Sequence, residues 1–264
     1  MNKISKRTIF LVVLFSVLAT TVMVSPYWFQ KLPFEYGGDL KPTYFPYYTE
    51  FRALISNFLK NGKLPFYSWN LFLGNDFWSS KSFYMLGDVY YYISLAFKEH
   101  FYKIFEIQTF LKLSVSTLTM FLYLKYQKNS DLVAVTLALC YGFSSWVIFF
   151  LGQPMFVSAY SWMPLFLLSV DIYLKEKRVV LFMIVTIILL FTNYYMFFSL
   201  SFFTPAYFIA RNYSINKGFK GFLKSTLYLI GIYFIAVLCT MVMILPSALY
   251  IAQNDRVGTF YISE

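Results

Sequence analysis

VVLFMIVTIILLFTNYYMFFSLSFFTPAYFIA, residues 179–210, contains no charged side chain. The run is longer than the roughly 20 apolar residues that one membrane-spanning helix needs, and shorter spans are tolerated inside bundles. Asn193-Tyr194-Tyr195 interrupts it as a tight turn, so it divides into two short crossings, 179–192 and 196–210. Applied outward to the rest of the chain, the same criterion marks further crossings near 8–29, 104–124, 131–151, 159–174 and 225–247. The expected fold is therefore all-α, a polytopic transmembrane helix bundle of seven crossings that makes up a single domain over 1–264.

Composition agrees. Hydrophobic residues make up 59%, aromatics 23% and charged residues only 13%, with a mean hydropathy of +0.60, far outside the range of a soluble domain. The formal charge of +10 could suggest nucleic acid. The basic residues, however, lie in short clusters between apolar runs, as topogenic charge does, so no nucleic-acid partner is expected. Cys140 and Cys239 each fall inside an apolar run and read as small buried hydrophobes.

Loop charge gives the orientation. Lys125 and Lys128, then Lys175, Lys177 and Arg178, then Arg211, Lys217, Lys220 and Lys224 occupy alternate loops, whereas 152–158 and 193–195 carry no Lys or Arg. By the positive-inside rule the amino terminus is cytoplasmic. Lys3, Lys6 and Arg7 precede the first span, no small-residue cleavage site follows it, and Tyr27, Trp28 and Phe29 form an interfacial belt. It reads as a retained helix in a bacterial cell membrane. Residues 83–97 are apolar, but an added crossing there would invert every later loop, and Gly87 and Asp88 argue against a span. They read as an interfacial or re-entrant part of one external loop, 30–103.

That loop holds most of the available chemistry. Tyr47, Phe51, Leu54, Ile55, Phe58 and Leu59 recur at helical spacing opposite Glu50, Ser56, Asn57 and Lys60, with Pro46 in the first turn and Asn61-Gly62 as the stop. This predicts an amphipathic helix on the outer leaflet. Just before it, Gly37-Gly38 places Asp39 beyond the first crossing. There a carboxylate can act as general base toward a hydroxyl, bind a divalent cation that holds a lipid phosphate, or simply cap the turn. Asp76 and Asp88 are the next candidate carboxylates, and each would have to fold back toward Asp39 to share its chemistry. Arg52 suits a phosphate through paired donors, or snorkels to the interface. Lys112 lies inside a span, where a charge serves an ion pair, cavity or ligand. Asn193 and Tyr194 offer an amide and a phenol to a sugar, or only form the turn. A single histidine, His100, and the lack of HExxH or CxxC give zinc chemistry no support.

The segments GGDLKPTYFPYYTEFR (37–52), FYSWNLFLGNDF (66–77), CYGFSSWVIF (140–149), NYYM (193–196) and LPSALYIAQNDR (245–256) resemble, in this order, the amino-terminal part of the bacterial YfhO family of membrane proteins. That resemblance implies a GT-C-like architecture and a glycosyltransferase that takes a sugar from a polyprenyl-phosphate carrier on the external face. The implied acceptor is a cell-surface glycopolymer such as lipoteichoic acid. It also implies that Asp39 corresponds to the carboxylate of the first external loop in GT-C enzymes, and that the chain is the amino-terminal portion of a longer protein. In this expected scheme Asp39 deprotonates the acceptor, and Arg52, Lys112 or Arg256 offsets charge on the departing phosphate. A transporter or flippase of lipid-linked sugars would instead need polar residues along a path through the spans, and a noncatalytic assembly partner would need neither feature.

Overall fold

The computed structural model describes residues 5–34, 39–63, 67–69, 74–96, 100–215 and 218–252. Six of its helices are long and apolar enough to cross a membrane: α1 (Lys6–Phe29), α4 (Phe101–Tyr126), the stretch Asp131–Gly152, α7 (Pro154–Glu176), α8 (Val180–Ile215) and α9 (Phe219–Ala252). The chain is an all-α polytopic helix bundle. The shorter helices are α2 (Phe45–Asn61) and α3 (Phe77–Met85), and a two-residue hairpin pairs β1 (Tyr67–Ser68) with β2 (Asn75–Asp76).

Side-chain contacts fix the order of packing. Helix α1 buries Val12, Ser16, Thr20 and Val24, one residue per turn, and runs antiparallel to α4. Thr8 donates to Asp131 at one end, Ser16 meets Thr117 at 3.4 Å, and the Trp28 indole donates to Glu106 at 2.9 Å at the other. Helices α4 and α7 run parallel with a constant offset. Lys112 donates to the Pro154 carbonyl at 3.1 Å, Thr119 to the Ser161 carbonyl at 2.8 Å, and Gln127 to Asp171. The loops with Lys125, Lys128, Lys175 and Lys177 therefore share one end of the bundle, the basic end. The described residues between 30 and 103 gather at the opposite end, the loop end.

The stretch expected as one span over 131–151 is broken. Helix α5 (Asp131–Gly142) stops, and the Ser144 hydroxyl caps α6 (Ser145–Phe149) by accepting from the Val147 N–H. Helix α5 also lies very close to α4: a Cβ on Gly142 would stand 2.2 Å from the Thr117 hydroxyl.

Helix α8 reverses at Asn193, whose backbone is extended (φ −164°, ψ 92°) and whose Oδ1 accepts the Met196 N–H at 2.9 Å, capping the second arm. Two contacts require the reversal. The Phe166 ring is 5.5 Å from both Phe182 and Phe197, which a straight helix would hold roughly 22 Å apart. Arg211, near the far end of α8, returns to the basic end to pair with Asp171 through two bonds of 2.8 and 2.7 Å, and donates to Gln127 at 2.9 Å. This clamp, buried at Asp171 and half-buried at Arg211, joins α7 and the second arm of α8 to the end of α4.

Two expectations are corrected. Cys140 and Cys239 are exposed on the outside of the bundle rather than buried; both point away from the helix interfaces, where an apolar thiol meets lipid as readily as core. Helix α2 is wedged into the bundle rather than laid on a leaflet. Tyr47, Tyr48, Phe51 and Leu54 join a core with Phe34, Tyr91 and Phe105, and only Phe58 and Leu59 of the apolar face stay exposed. Residues 77–96 form α3, a turn and a short 3₁₀ helix (Tyr91–Ala96) rather than a continuous span. Gly87 lets that turn press onto the break in α8, for a Cβ there would lie 1.9 Å from the Phe191 carbonyl oxygen.

Candidate functional site at the loop end of the bundle

Asp39 opens a π-helical turn, Leu40–Tyr44, that runs into α2 without a break, since Tyr44 and Phe45 both have helical backbone angles. Its carbonyl accepts the Thr43 and Tyr44 N–H groups at 3.0 and 3.2 Å. Leu40 and Tyr44 are buried and anchor the turn, whereas the Asp39 side chain is exposed. Gln153 Nε2 donates to Asp39 Oδ2 at 3.3 Å. Gln153 immediately precedes α7 and does not cap it with its side chain; the amide turns to Asp39 instead, and Pro154 takes the first helical position. The carboxylate thus stands at the positive end of the α7 dipole. Gly37 and Gly38, read as its turn, lie outside the described residues.

Behind Pro154 lies a closed polar network. Asp88 is 2% exposed, accepts the Ser158 hydroxyl at 2.5 Å and the Tyr90 N–H at 3.0 Å, and sits 3.9 Å from the Lys112 ammonium. Lys112 also donates to Gln108 Oε1 at 3.3 Å, which accepts the Tyr48 hydroxyl at 2.8 Å. The Tyr48 ring stacks on Tyr91 at 4.0 Å. Burial pushes the Asp88 carboxyl above the usual carboxylate range, with the Lys112 charge, the Ser158 hydroxyl and the Tyr90 N–H pulling it back. Asp88 and Lys112, expected as a catalytic acid and a substrate cation, are here partners of each other, shut away from the surface. Their pairing across 24 positions carries no local sequence signal.

Asp76 caps α3. Its carboxylate accepts the Trp78 N–H at 2.9 Å, the Ser79 N–H at 3.3 Å and the Ser79 hydroxyl. Neighbouring Asn75 ties the hairpin to α9 by donating to the Tyr250 hydroxyl at 2.9 Å. Glu50, expected on the polar face of α2, is buried and accepts the Ser68 hydroxyl. Asn193 is also buried and used as a cap, and Tyr194 borders an apolar recess of about 830 Å³ between α8 and α9. Arg256 lies outside the described residues. Lys81, which sequence reasoning passed over, is buried with its ammonium 4.8 Å from the Tyr47 ring, and desolvation lowers its pKa to about 8.

Arg52 lies on α2 with its guanidinium 4.8 Å above the Phe101 ring, bordering a recess of about 590 Å³. At about 1.5 Å per residue along the shared helix axis, it is roughly 20 Å from Asp39. The structure therefore brings Gln153 to Asp39 and Lys112 to Asp88, but keeps Asp39 and Arg52 apart. On the other flank of α2 an apolar groove of about 520 Å³ opens between Phe58, Trp78, Val89, Ile187, Phe191 and Val242. Among the described residues no cluster of three or more His, Cys, Asp or Glu side chains could hold a metal ion.

Residues 9–263 match the family described as Bacterial membrane protein YfhO. The chain belongs to the YfhO family. The match covers all the crossings together with the Asp39 turn, so the multi-pass membrane placement and the family are established together. No curated protein and no solved structure matches the chain.

Proposed function

We propose that this YfhO-family protein is a GT-C-type transferase that moves a sugar from a polyprenyl-phosphate carrier to a cell-surface glycopolymer. One observation supports it above the others. Of the three acidic candidates, Asp39 alone is exposed, held on a rigid helical turn by Gln153 at the start of α7, while Asp76 caps a helix and Asp88 is shut in. That is the placement a general base needs to meet an incoming hydroxyl. The apolar groove beside α2, at the same end, suits a prenyl chain entering from the lipid.

In this reading the basic end is cytoplasmic, the arms of α8 count as separate crossings to give seven, and the chemistry occurs outside. Asp39 takes the acceptor's proton as its oxygen attacks the anomeric carbon; the bond from that carbon to the carrier phosphate breaks, with inversion. The amino terminus of α7 and Arg256 offset the charge on the leaving phosphate. Lys112 contributes by fixing the Pro154 carbonyl beneath that helix end, not by touching substrate.

A flippase is the second reading, and a specific feature favours it. Gln108, Lys112, Ser116 and Thr119 of α4 face Ser158 and Ser161 of α7 as a buried polar seam inside the bundle. Apart from the Ser116 hydroxyl and the Gln108 amide nitrogen, these groups hydrogen-bond to one another or to nearby groups. Reconstituted protein given a polyprenyl phosphate that carries a radiolabelled hexose or N-acetylhexosamine separates the readings. The transferase yields labelled polymer; lipid movement without labelled polymer would support the flippase and refute transfer.

A further inference from the structure

Helix α2 has an outward face for which the scheme above finds no use. Thr49, Arg52, Ser56 and Lys60 recur three and four residues apart and so share one side of the helix. All four line the 590 Å³ recess. The opposite side is pinned by Tyr47, Phe51 and Leu54 in the core, so this face cannot rotate away. The only acid of α2, Glu50, is turned inward onto Ser68, and the outward stripe carries no negative charge. The stripe carries two cations, with the Arg52 plane laid on Phe101, and the hydroxyls of Ser56 and Thr49, the latter donating to the Phe45 carbonyl at 3.1 Å. This is a donor set for phosphodiester oxygens.

Distance decides which phosphate. An attacking oxygen stands about 3 Å from the anomeric carbon, and the leaving phosphate is bonded to that carbon, so it must stay within a few ångströms of the base. Arg52 is roughly 20 Å from Asp39 and Lys60 about 12 Å further along the same axis. One headgroup phosphate cannot serve Asp39 and this stripe together, whereas a chain of repeated phosphodiesters can lie on the stripe and reach the turn. We propose that the outward face of α2 is the track on which a polyanionic phosphodiester acceptor lies while one of its hydroxyls meets Asp39. The inference rests on Asp39 being the base of the proposed transferase.

The test uses the full chain in nanodiscs of zwitterionic lipid, with fluorescent poly(glycerol phosphate) and its monomer as probes, read by anisotropy. The polymer is expected to bind much more tightly than the monomer, more weakly as salt rises, and at least about tenfold more weakly to Arg52→Gln/Lys60→Gln. Arg52→Lys should retain part of the binding. Polymer affinity unchanged in the double variant, or equal affinity for monomer and polymer, would overturn the track. In transfer assays the double variant should raise KM for the acceptor more than KM for the carrier; the reverse would mean that the recess holds the carrier's phosphate. Anionic vesicles that compete away the polymer from the wild type but not from the double variant, with no effect of the variant on acceptor KM, would mark the stripe as a membrane contact and overturn the proposal. Wild-type turnover in Asp39→Asn would overturn the catalytic reading beneath it, whereas an inactive Asp39→Asn with normal polymer binding leaves the track standing.

Discussion

Replacing Lys112 by methionine keeps the length and packing of the side chain but removes the only cation facing Asp88 among the described residues. The structure sets the scale of the loss. Lys112 is 2% exposed and donates to the Pro154 carbonyl at 3.1 Å and to Gln108 at 3.3 Å, with Asp88 at 3.9 Å. Without it the Asp88 carboxylate keeps the Ser158 hydroxyl and the Tyr90 N–H but loses its counter-charge. Breaking a buried pair from one side costs about 3–5 kcal/mol, which for a chain of this size corresponds to a fall in Tm of roughly 6–20 °C. Asp88→Asn/Lys112→Met leaves no unpaired charge and should recover at least half of that fall. Thermal unfolding of detergent-solubilised protein, followed by tryptophan fluorescence, compares the three proteins. A double variant no more stable than Lys112→Met would show that the loss does not come from a stranded carboxylate.

Three further outcomes are expected. Gly87→Ala puts a methyl 1.9 Å from the Phe191 carbonyl oxygen and should lower Tm sharply, whereas Gly231→Ala, with nothing within 4 Å, should not; equal Tm values for the two would contradict the close approach. Lys81 has a pKa of about 8 in the folded chain against 10.5 for the free side chain, so the unfolded chain binds the more protons between those values and its burial becomes less costly as pH rises through them. Wild type should therefore gain stability relative to Lys81→Met from pH 8 to 10.5, and parallel Tm curves would rule this out. Gln153→Met keeps shape but loses the donor to Asp39, and transfer should fall by roughly tenfold, the worth of one hydrogen bond to a carboxylate; unchanged transfer at normal abundance would remove Gln153 from the site.

Much of this architecture could be read from periodicity. The apolar runs, the Asn61-Gly62 stop and the break at Asn193 are local signals, and Gly62 does take a left-handed φ of 65° after α2. The orientation of α2 was only half legible. Its apolar spacing marks a buried face, but the same spacing fits a helix on a leaflet and one wedged against Phe105 and Tyr91, and only tertiary contacts decide. Glu50 shows the same limit, since a partner at Ser68 turns a residue of the polar face inward. The site divides in the same way. Asp39 stands out because glycines precede it, and Lys112 because it is a charge within a span. Their actual partners, Gln153 and Asp88, come from segments 114 and 24 positions away in the chain. Ser158 and Gln108 complete that network as ordinary polar residues in apolar helices, without a pattern of their own.

The most direct measurement of the central claim is sugar transfer by reconstituted Asp39→Asn, which keeps an oxygen to accept from Gln153 but has no basicity. The variant should be folded at normal abundance with carrier lipid still bound, and labelled polymer should fall to background. Transfer at the wild-type rate would contradict that claim.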